Sequence, residues 1–355
     1  MNRKQTVLAI AIVVIVVVGG YAAYASLTGG SSSGKVQLTE TGSSLLYPVF
    51  NKWAPDYKNA TITTASTGSG TGISQAEAGK VNIGASDAYI QGTVPSGVEN
   101  IPILISYQYI CYNVPGVSTG LNLSANIIAG IYMGTITNWN SSLIQAANPH
   151  ATLPNHSIVP VHRSDGSGDT FMFTSFLAHG NATWGSKYHF GTSASIFPAV
   201  SGELTGAQNT GIINAVNATR YSIGYIAATY QTEINNDHFG IANLENKAGF
   251  FVAPTVANVK AAASGYLSSI PSNGSIALQY APGNNSYPIA DMEYVVVQLH
   301  QSSTSVANAL KDFLTWVLSP SGGSQTKYLS AMNLVALPSN VVASVSQPMI
   351  NKITG

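Results

Sequence analysis

Three segments of the sequence combine glycine with serine or threonine where a predicted strand gives way to a predicted helix. They are TGSS (41–44), TGSGTG (67–72) and DGSGDT (165–170). Backbone N–H groups at a helix start lack partners within the helix and, with the helix dipole, bind anions. Hydroxyl groups add donors, and glycine allows a close approach. Because these residues are also ordinary caps and turn formers, the pattern predicts either an anion site or plain helix starts.

Arg163 lies just before the third segment, and residues 36–355 contain only one other arginine, Arg220. A guanidinium group can hold a tetrahedral oxyanion through two parallel hydrogen bonds. The alternative is a surface arginine paired with Asp165. The position of so rare a residue inside a Gly/Ser motif favours the first interpretation.

Asp87 ends the segment IGASD (83–87), and a carboxylate beside an oxyanion repels it. An ionised carboxylate only accepts hydrogen bonds, so it tolerates an oxyanion that carries a proton. It would accept hydrogen phosphate and penalise sulfate, which has no proton near neutral pH. The alternative role of a lone aspartate at a strand end is to cap a helix.

The elements that would position these residues alternate along the chain, which is typical of α/β folds. We predict strands at 36–41, 61–66, 81–85, 102–114, 159–162, 222–227 and 287–299. We predict helices at 45–57, 73–78, 124–133 and 170–177, and a final amphipathic helix at 305–318.

The composition excludes several classes of protein. Only 8% of the 355 residues are charged, with 14 Lys plus Arg against 14 Asp plus Glu. Because no basic cluster is present to replace phosphate counterions, we expect no nucleic-acid partner. A hydrophobic content of 45% argues against a disordered chain. The single cysteine, Cys111, excludes disulfide frameworks and Cys-ligated metal sites.

Motifs for catalysis are missing from the sequence. It contains no P-loop, no dinucleotide-binding glycine motif and no His-Glu-x-x-His motif, and its Gly-x-Ser-x-Gly match (30–34) lies in the Gly/Ser tether and not at a strand-to-helix elbow. The seven histidines are scattered along the chain. We therefore expect a binding protein with no enzymatic activity, no cofactor and no metal.

The N-terminus predicts export. A short basic start precedes an uncharged apolar run, residues 6–27, which is long enough to cross a bilayer. Residues 1–27 are either a retained membrane anchor or a cleaved signal segment, and residues 28–35 form a Gly/Ser tether. Residues after 34 would lie at the outer face of the cytoplasmic membrane, or be secreted or periplasmic. Glycosylation sequons begin at Asn59, Asn122, Asn140, Asn155, Asn181, Asn217, Asn273 and Asn284.

Five blocks together resemble the PstS-type phosphate-binding proteins that feed ABC transporters. They are GSSLLYPVFNKW (42–53), TGSGTGISQAEAGKVNIGASDAY (67–89), VHRSDGSGDTFMFTSFL (161–177), SIGYIA (222–227) and YPIADMEYVVV (287–297). The resemblance implies an α/β, type II periplasmic-binding-protein fold, in which two crossover strands join two lobes. Lobe I would comprise residues 36–110 plus 290–355, and lobe II residues 111–289.

The resemblance also implies a site for inorganic phosphate in the cleft between the lobes. The implied phosphate-binding residues are Ser44, Leu45, Ser69, Asp87, Arg163, Ser167, Gly168 and Asp169. Leu45 would act through its backbone N–H, Asp87 would sense the ligand's proton, and Arg163 would supply the positive charge. The implied partners are the permease subunits of an ABC transporter, with the protein itself a monomer.

Two positions depart from the family pattern: Ser44 and Asp169 stand where threonine is common. A second carboxylate, Asp169, could accept a second ligand proton, which predicts a preference for dihydrogen phosphate. Two rival functions stay open. One is binding of sulfate, molybdate or tungstate on the same fold, which Asp87 disfavours, and the other is cell-surface scavenging or adhesion without a transporter.

Overall fold

The computed structural model describes residues 34–266 and 270–355. The predicted anchor or signal segment (1–27) and most of the tether (28–35) lie outside these residues. No helix within the described ranges is long and apolar enough to cross a membrane. Residues 36–355 form one compact unit.

The strands of this unit range from two-residue pairings to one of 16 residues. They are β1 (Val36–Gly42), β2 (Ala60–Thr63), β3 (Ile83–Ser86), β4 (Val98–Asn113), β5 (Asn122–Leu123), β6 (Val159–Arg163), β7 (Leu204–Gly206), β8 (Ser222–Ala227), β9 (Gly240–Ile241), β10 (Asn243–Glu245), β11 (Phe251–Val252), β12 (Ala290–Gln298) and β13 (Val335–Ala336).

The helices alternate with these strands along most of the chain. They are α1 (Tyr47–Asp56), α2 (Ser69–Glu77), α3 (Ala125–Tyr132), α4 (Ser142–Ala147), α5 (Gly168–Gly180), α6 (Ala182–Lys187), α7 (Gln208–Ala218), α8 (Gln231–Asn236), α9 (Val256–Ser264), α10 (Thr304–Leu318), α11 (Thr326–Leu329), α12 (Ser339–Val341) and α13 (Gln347–Asn351).

One mixed sheet organises the unit, with strand order β2-β1-β3-β12-β4-β8-β6-β7. Strands β1, β2 and β3 are parallel to one another, and so are β6, β7 and β8. Between these groups, β12 lies antiparallel to β3 and β4. The long strand β4 pairs with β12 up to Tyr107 and with β8 from Gln108 onward. It therefore belongs to both halves of the sheet.

The core lies on both faces of this sheet. Every residue from 290 to 297 in β12 is buried, which is typical of a central strand covered on both sides. Helix α10 contributes Leu310, Phe313, Leu314 and Val317, whose spacing forms one apolar face. The Ser303 hydroxyl accepts the Val306 N–H and caps the start of this helix. The packed centre holds the strand ends in fixed positions.

Most predicted elements are present with shifted bounds, and one prediction is wrong. Helix α2 begins at Ser69 rather than Ile73, because Gly68 takes a φ of 87° and turns the chain directly into the helix. Helix α1 begins at Tyr47, after a turn at 44–46. The helix at 304–318 is not the final one, because α11, α12 and α13 follow it. These short elements carry too few residues for a helical apolar pattern.

Candidate anion-binding site

Side chains from the ends of β1, β3 and β6 meet at one buried point. Ser43 follows β1, Asp87 follows β3, and Arg163 is the last residue of β6. Each is exposed to solvent by no more than 1%. In open α/β sheets the space beyond the carboxyl ends of parallel strands is where ligands bind. The strand order therefore brings the chemistry-bearing residues to the place where a binding site is expected.

Arg163 is fixed by two carboxylates. Its Nε and Nη2 donate to the two oxygens of Asp165 at 2.7 and 2.5 Å, and its Nη1 donates to Asp169 Oδ2 at 2.6 Å. Burial opposes protonation, but these carboxylates outweigh it and raise the pKa of Arg163. A guanidinium group has five N–H donors, of which these contacts use three. One N–H therefore remains on each terminal nitrogen, and these two donors are available to an oxyanion.

Asp87 accepts hydrogen bonds from the turns that follow β1 and β2. The Ser43 hydroxyl donates to its Oδ1, and the Ser69 hydroxyl donates to its Oδ2 at 3.1 Å. Burial, and then the negative charge of Asp169, raises the pKa of Asp87 from 3.8 to about 7. Its hydrogen bonds and Arg163 oppose that shift. Asp87 is thus a buried acceptor that ionises near neutral pH.

Asp169, in the first turn of α5, is surrounded by donors. Its Oδ1 accepts from Gln108 Nε2 at 3.1 Å, and its Oδ2 accepts from Arg163 and from Asn209 Nδ2 at 2.7 Å. Burial raises the pKa of Asp169 despite these contacts. Asn209 Nδ2 also donates to Ser44 Oγ at 2.9 Å. Asn209 thus links the turn after β1 to the start of α5.

Three helix starts surround this point, as the Gly/Ser/Thr segments predict. The Ser43 hydroxyl accepts the Leu46 N–H at 3.0 Å, and the Ser167 hydroxyl accepts the Thr170 N–H at 3.2 Å. Ser69 is the first residue of α2. In the described part of the chain, the N–H groups of Ser44 and Leu45 donate to no other group. These helix starts present backbone donors and positive dipole ends to the site.

Glycines allow the loops after β2 and β6 to touch. A Cβ added to Gly168 would lie 2.6 Å from Asp87 Cβ and 2.8 Å from Ser69 Oγ. The Gly70 N–H donates to the Gly166 carbonyl oxygen at 2.9 Å. Any larger side chain at Gly168 would push Asp87 and Ser69 away from α5. The glycines of these motifs therefore serve close packing between the segments that form the site.

The site carries more negative than positive formal charge. Three carboxylates (Asp87, Asp165 and Asp169) face one guanidinium, so the formal sum is −2 when all are ionised. Burial would raise the pKa of Asp165, but hydrogen bonds from Arg163 outweigh it and lower that pKa. The described residues contain no group of His, Cys, Asp and Glu side chains that could hold a metal ion. Beside ionised carboxylates, an anion that carries a proton is favoured over one that does not.

The predicted residues occupy this site in different ways. Ser69 and Asp87 are in direct contact, as are Arg163 and Asp169, and Gly168 packs against Asp87. Within the described ranges, the Asp87 carboxylate accepts from serine hydroxyls and from no helix N–H, so the cap alternative does not describe it. Arg163 pairs with Asp165 as its alternative proposed, yet it is buried and not at the surface.

Sequence reasoning missed Gln108, which donates to Asp169, and two further contributors to the site. Ser43 lies inside the first Gly/Ser segment, and its hydroxyl contacts Asp87, whereas the Ser44 hydroxyl accepts from Asn209. The neighbouring position was predicted because of the family resemblance. Asn209 comes from the start of α7, where no Gly/Ser motif marks the segment. No local signal in the sequence could have identified it.

Comparison with known proteins finds a matching family model and similar sequences over most of the chain. A sequence model described as "PBP superfamily domain" matches residues 29–321. The phosphate-binding protein PstS of Xylella fastidiosa is 31% identical over 316 residues, covering 87% of this chain and 84% of that protein.

Two solved structures share the fold. A phosphate-binding protein from Stenotrophomonas maltophilia superposes with a TM-score of 0.64 at 20% identity, covering 88% of this chain and 94% of that one. An ABC-type phosphate transport receptor from Vibrio cholerae superposes with a TM-score of 0.55 at 16% identity, covering 85% of this chain and all of that one.

Proposed function

Because the chain belongs to the PstS family of phosphate-binding proteins, within the PBP superfamily, we propose that it binds inorganic phosphate for an ABC transporter. The family match covers most of the chain, including all three Gly/Ser/Thr segments. The protein would act as a binding component and not as an enzyme, since the site combines two unused guanidinium N–H groups with acceptor carboxylates and, among the described residues, includes no activated nucleophile.

Arg163 and the helix starts would hold the phosphate oxygens. The two N–H groups of Arg163 that no carboxylate uses would bind two oxygens in parallel. Backbone N–H groups at Ser44 and Leu45, and those at the starts of α2 and α5, would bind the others. Ser69, Ser167 and Gly168 belong to those starts. This arrangement supplies donors to an anion without a cluster of basic side chains.

The observation that carries the proposal is the position of Asp87. It is a fully buried carboxylate within contact distance of Ser43, Ser69 and the start of α5. Once ionised, it can only accept a hydrogen bond. Hydrogen phosphate can donate its proton to Asp87, whereas sulfate would leave two buried anions facing each other. Asp87 therefore selects phosphate over sulfate above its pKa of about 7.

We also propose that the protein is organised in two lobes. Two lobes, residues 36–110 plus 290–355 and residues 111–289, would close on phosphate by a hinge motion. The change of partner along β4 at Tyr107 and Gln108, and the start of β12 at Ala290, support these boundaries. Asn209 would join lobe II to Ser44 of lobe I in the closed state.

The proposal also covers the cellular location of the protein and its partners. The protein would act outside the cytoplasm, held at the outer membrane face by residues 1–27 or released if they are cleaved. It would work as a monomer that docks on the permease subunits. The basic start followed by an uncharged run of 22 residues in the sequence supports this placement.

Calorimetric titration of the purified full-length protein with phosphate, sulfate and molybdate at pH 8 tests the proposal. We expect tight binding of phosphate and no heat from the other two oxyanions. Binding of sulfate or molybdate in preference to phosphate would move the protein to a sister specificity. An absence of binding to all three would refute a role in oxyanion transport.

A further inference from the structure

A second carboxyl group, Glu293, lies directly behind Asp87. In the antiparallel pairing of β12 with β3, Tyr294 is opposite Ser86, so the next pair along the strands is Glu293 and Asp87. Glu293 is completely buried. Its Oε1 accepts a hydrogen bond from the Ser106 hydroxyl of β4. Its other oxygen, Oε2, accepts no hydrogen bond from any N–H or hydroxyl group in the described part of the chain.

The neighbouring group in the register with which Oε2 can form a hydrogen bond is the carboxyl group of Asp87. The register makes the two side chains neighbours, and their interaction lowers the pKa of Asp87 and raises that of Glu293. A hydrogen bond between two carboxyl groups requires that one of them is protonated. Two carboxylates sharing a site cannot both ionise at little cost, and one of them keeps its proton.

Glu293 is the member of the pair that keeps it. Burial is the main cause that raises its pKa well above 4.5, and no Lys, Arg or His of the described residues forms an ion pair with it. Asp87 has two serine donors and the opposing field of Arg163, which favour its ionised form. We propose that Glu293 is a positioning residue that stays protonated and donates a hydrogen bond to Asp87, so that Asp87 remains an acceptor for the ligand's proton.

A hydrogen bond from Glu293 to Asp87 would affect the discrimination between phosphate and sulfate, and this consequence rests on the proposed phosphate function. A protonated Asp87 could donate a hydrogen bond to sulfate, so discrimination would fail. Donation from Glu293 stabilises the ionised form of Asp87 and extends discrimination to lower pH. Removing the donor would therefore move the pH at which sulfate is rejected upward.

Other titratable groups face the pair from each neighbouring element. Asp291 and Tyr294 lie on β12 itself, and α5 and β6 contribute Asp169 and Arg163 to the surroundings of Asp87. From β4 the neighbour is Ser106, which does not titrate. Asp291 is as buried as Glu293 but bonds the Met292 N–H and is not the partner of Asp87. It offers a matched control.

The test compares Glu293→Gln, Glu293→Met and Asp291→Asn in the full-length protein. Glutamine can reproduce both contacts, since its oxygen accepts from Ser106 and its NH₂ donates to Asp87. Methionine has a similar length and provides neither. Dissociation constants for phosphate and sulfate are measured by calorimetry from pH 5.5 to pH 9, and the midpoint of sulfate rejection is read from their ratio.

We expect Glu293→Gln and Asp291→Asn to keep the wild-type midpoint and Glu293→Met to move it upward by about one pH unit. A downward shift in both Glu293 variants would show that Glu293 is ionised and would overturn the inference. So would unchanged midpoints in both Glu293 variants, which indicate a purely structural role. A shift in Asp291→Asn as large as in Glu293→Met would also overturn it.

Infrared spectroscopy keeps the inference testable if Glu293→Met does not fold or if no phosphate binds. The carbonyl stretching band of protonated carboxyl groups is compared at pH 8 between wild type and Glu293→Gln. A band lost in the variant supports a protonated Glu293, and identical bands refute it. Failure of phosphate binding in the wild type would refute the proposed function but leave this result independent.

Discussion

At the scale of single residues, the site works through a balance between one guanidinium and several carboxylates. Arg163 is neutralised by Asp165 and Asp169 before any ligand arrives. We therefore expect binding to depend on the direction of hydrogen bonds more than on net attraction. A ligand with one or more protons fits this arrangement, and a bare dianion does not.

The substitution Asp87→Asn tests whether the direction of the hydrogen bond at this position determines selectivity. The asparagine NH₂ can donate to sulfate, so we expect sulfate affinity at pH 8 to rise by roughly tenfold or more. Phosphate affinity should change less, because asparagine retains an acceptor oxygen. Calorimetry with both ions measures the ratio, and the exposed Asp312→Asn is the matched control. Continued rejection of sulfate by Asp87→Asn would show that selectivity arises elsewhere.

Asp169 adds a second acceptor to the same site. If it takes a ligand proton, the bound species is dihydrogen phosphate, and phosphate affinity increases as pH falls through the second pKa of phosphate. We expect Asp169→Thr to flatten this dependence, because threonine supplies a hydroxyl that can donate. Titrations at pH 5 and pH 8 measure it. Equal affinity of the wild type at both values would contradict this prediction.

Glu40 on β1 gives a prediction about stability. Burial raises its pKa from 4.5 to about 8. Between these values the unfolded chain has lost the proton and the folded chain has kept it, so stability decreases as pH rises. The contribution is about 1.4 kcal/mol per pH unit. Urea denaturation from pH 5 to pH 8 should show a shallower decline for Glu40→Gln, whereas the exposed Glu233→Gln should follow the wild type. Parallel declines would show that Glu40 is ionised when folded.

The sequence identifies residues that lie in local motifs and misses those that act across the fold. Asp87 and Arg163 were predicted because each stands in a recognisable segment next to a strand end. Asn209 and Glu293 come from a helix start and a central strand without such motifs. Their contacts depend on strand order and register, which periodicity does not reveal.

At the scale of elements, close packing of α2 on the sheet fixes the Ser69 helix start. A Cβ on Gly72 would lie 2.7 Å from the Ala85 carbonyl oxygen and 2.8 Å from Gly42 Cα. These contacts are backbone atoms of β3 and β1, which cannot move aside easily. The glycine content of the segment therefore reflects packing as well as the proposed anion binding, and sequence alone could not separate the two.

Gly72→Ala tests this packing. We expect a loss of about 1–3 kcal/mol in the free energy of unfolding, because the helix must move away from the sheet. Phosphate affinity should fall as well, since Ser69 moves with α2. Urea denaturation and calorimetry measure both effects. Ser74→Ala, at an exposed position of the same helix, is the control. A fully stable Gly72→Ala protein would show that α2 can shift without cost.

At the scale of the whole molecule, one mixed sheet brings distant segments together. Residues near 43, 87, 163 and 209 converge because β4 takes part in both halves of the sheet. The family resemblance correctly predicted an α/β periplasmic-binding-protein-like fold. The short C-terminal helices and the full length of β4 came only from the structure, because they depend on contacts with the rest of the sheet.

The most direct test of the central claim is a crystal structure of the protein with phosphate at pH 8. We predict phosphate between Arg163 and Asp87, with two oxygens at hydrogen-bond distance from Arg163 and one oxygen at hydrogen-bond distance from Asp87. Phosphate bound elsewhere, or bound without contact to Asp87, would contradict the account.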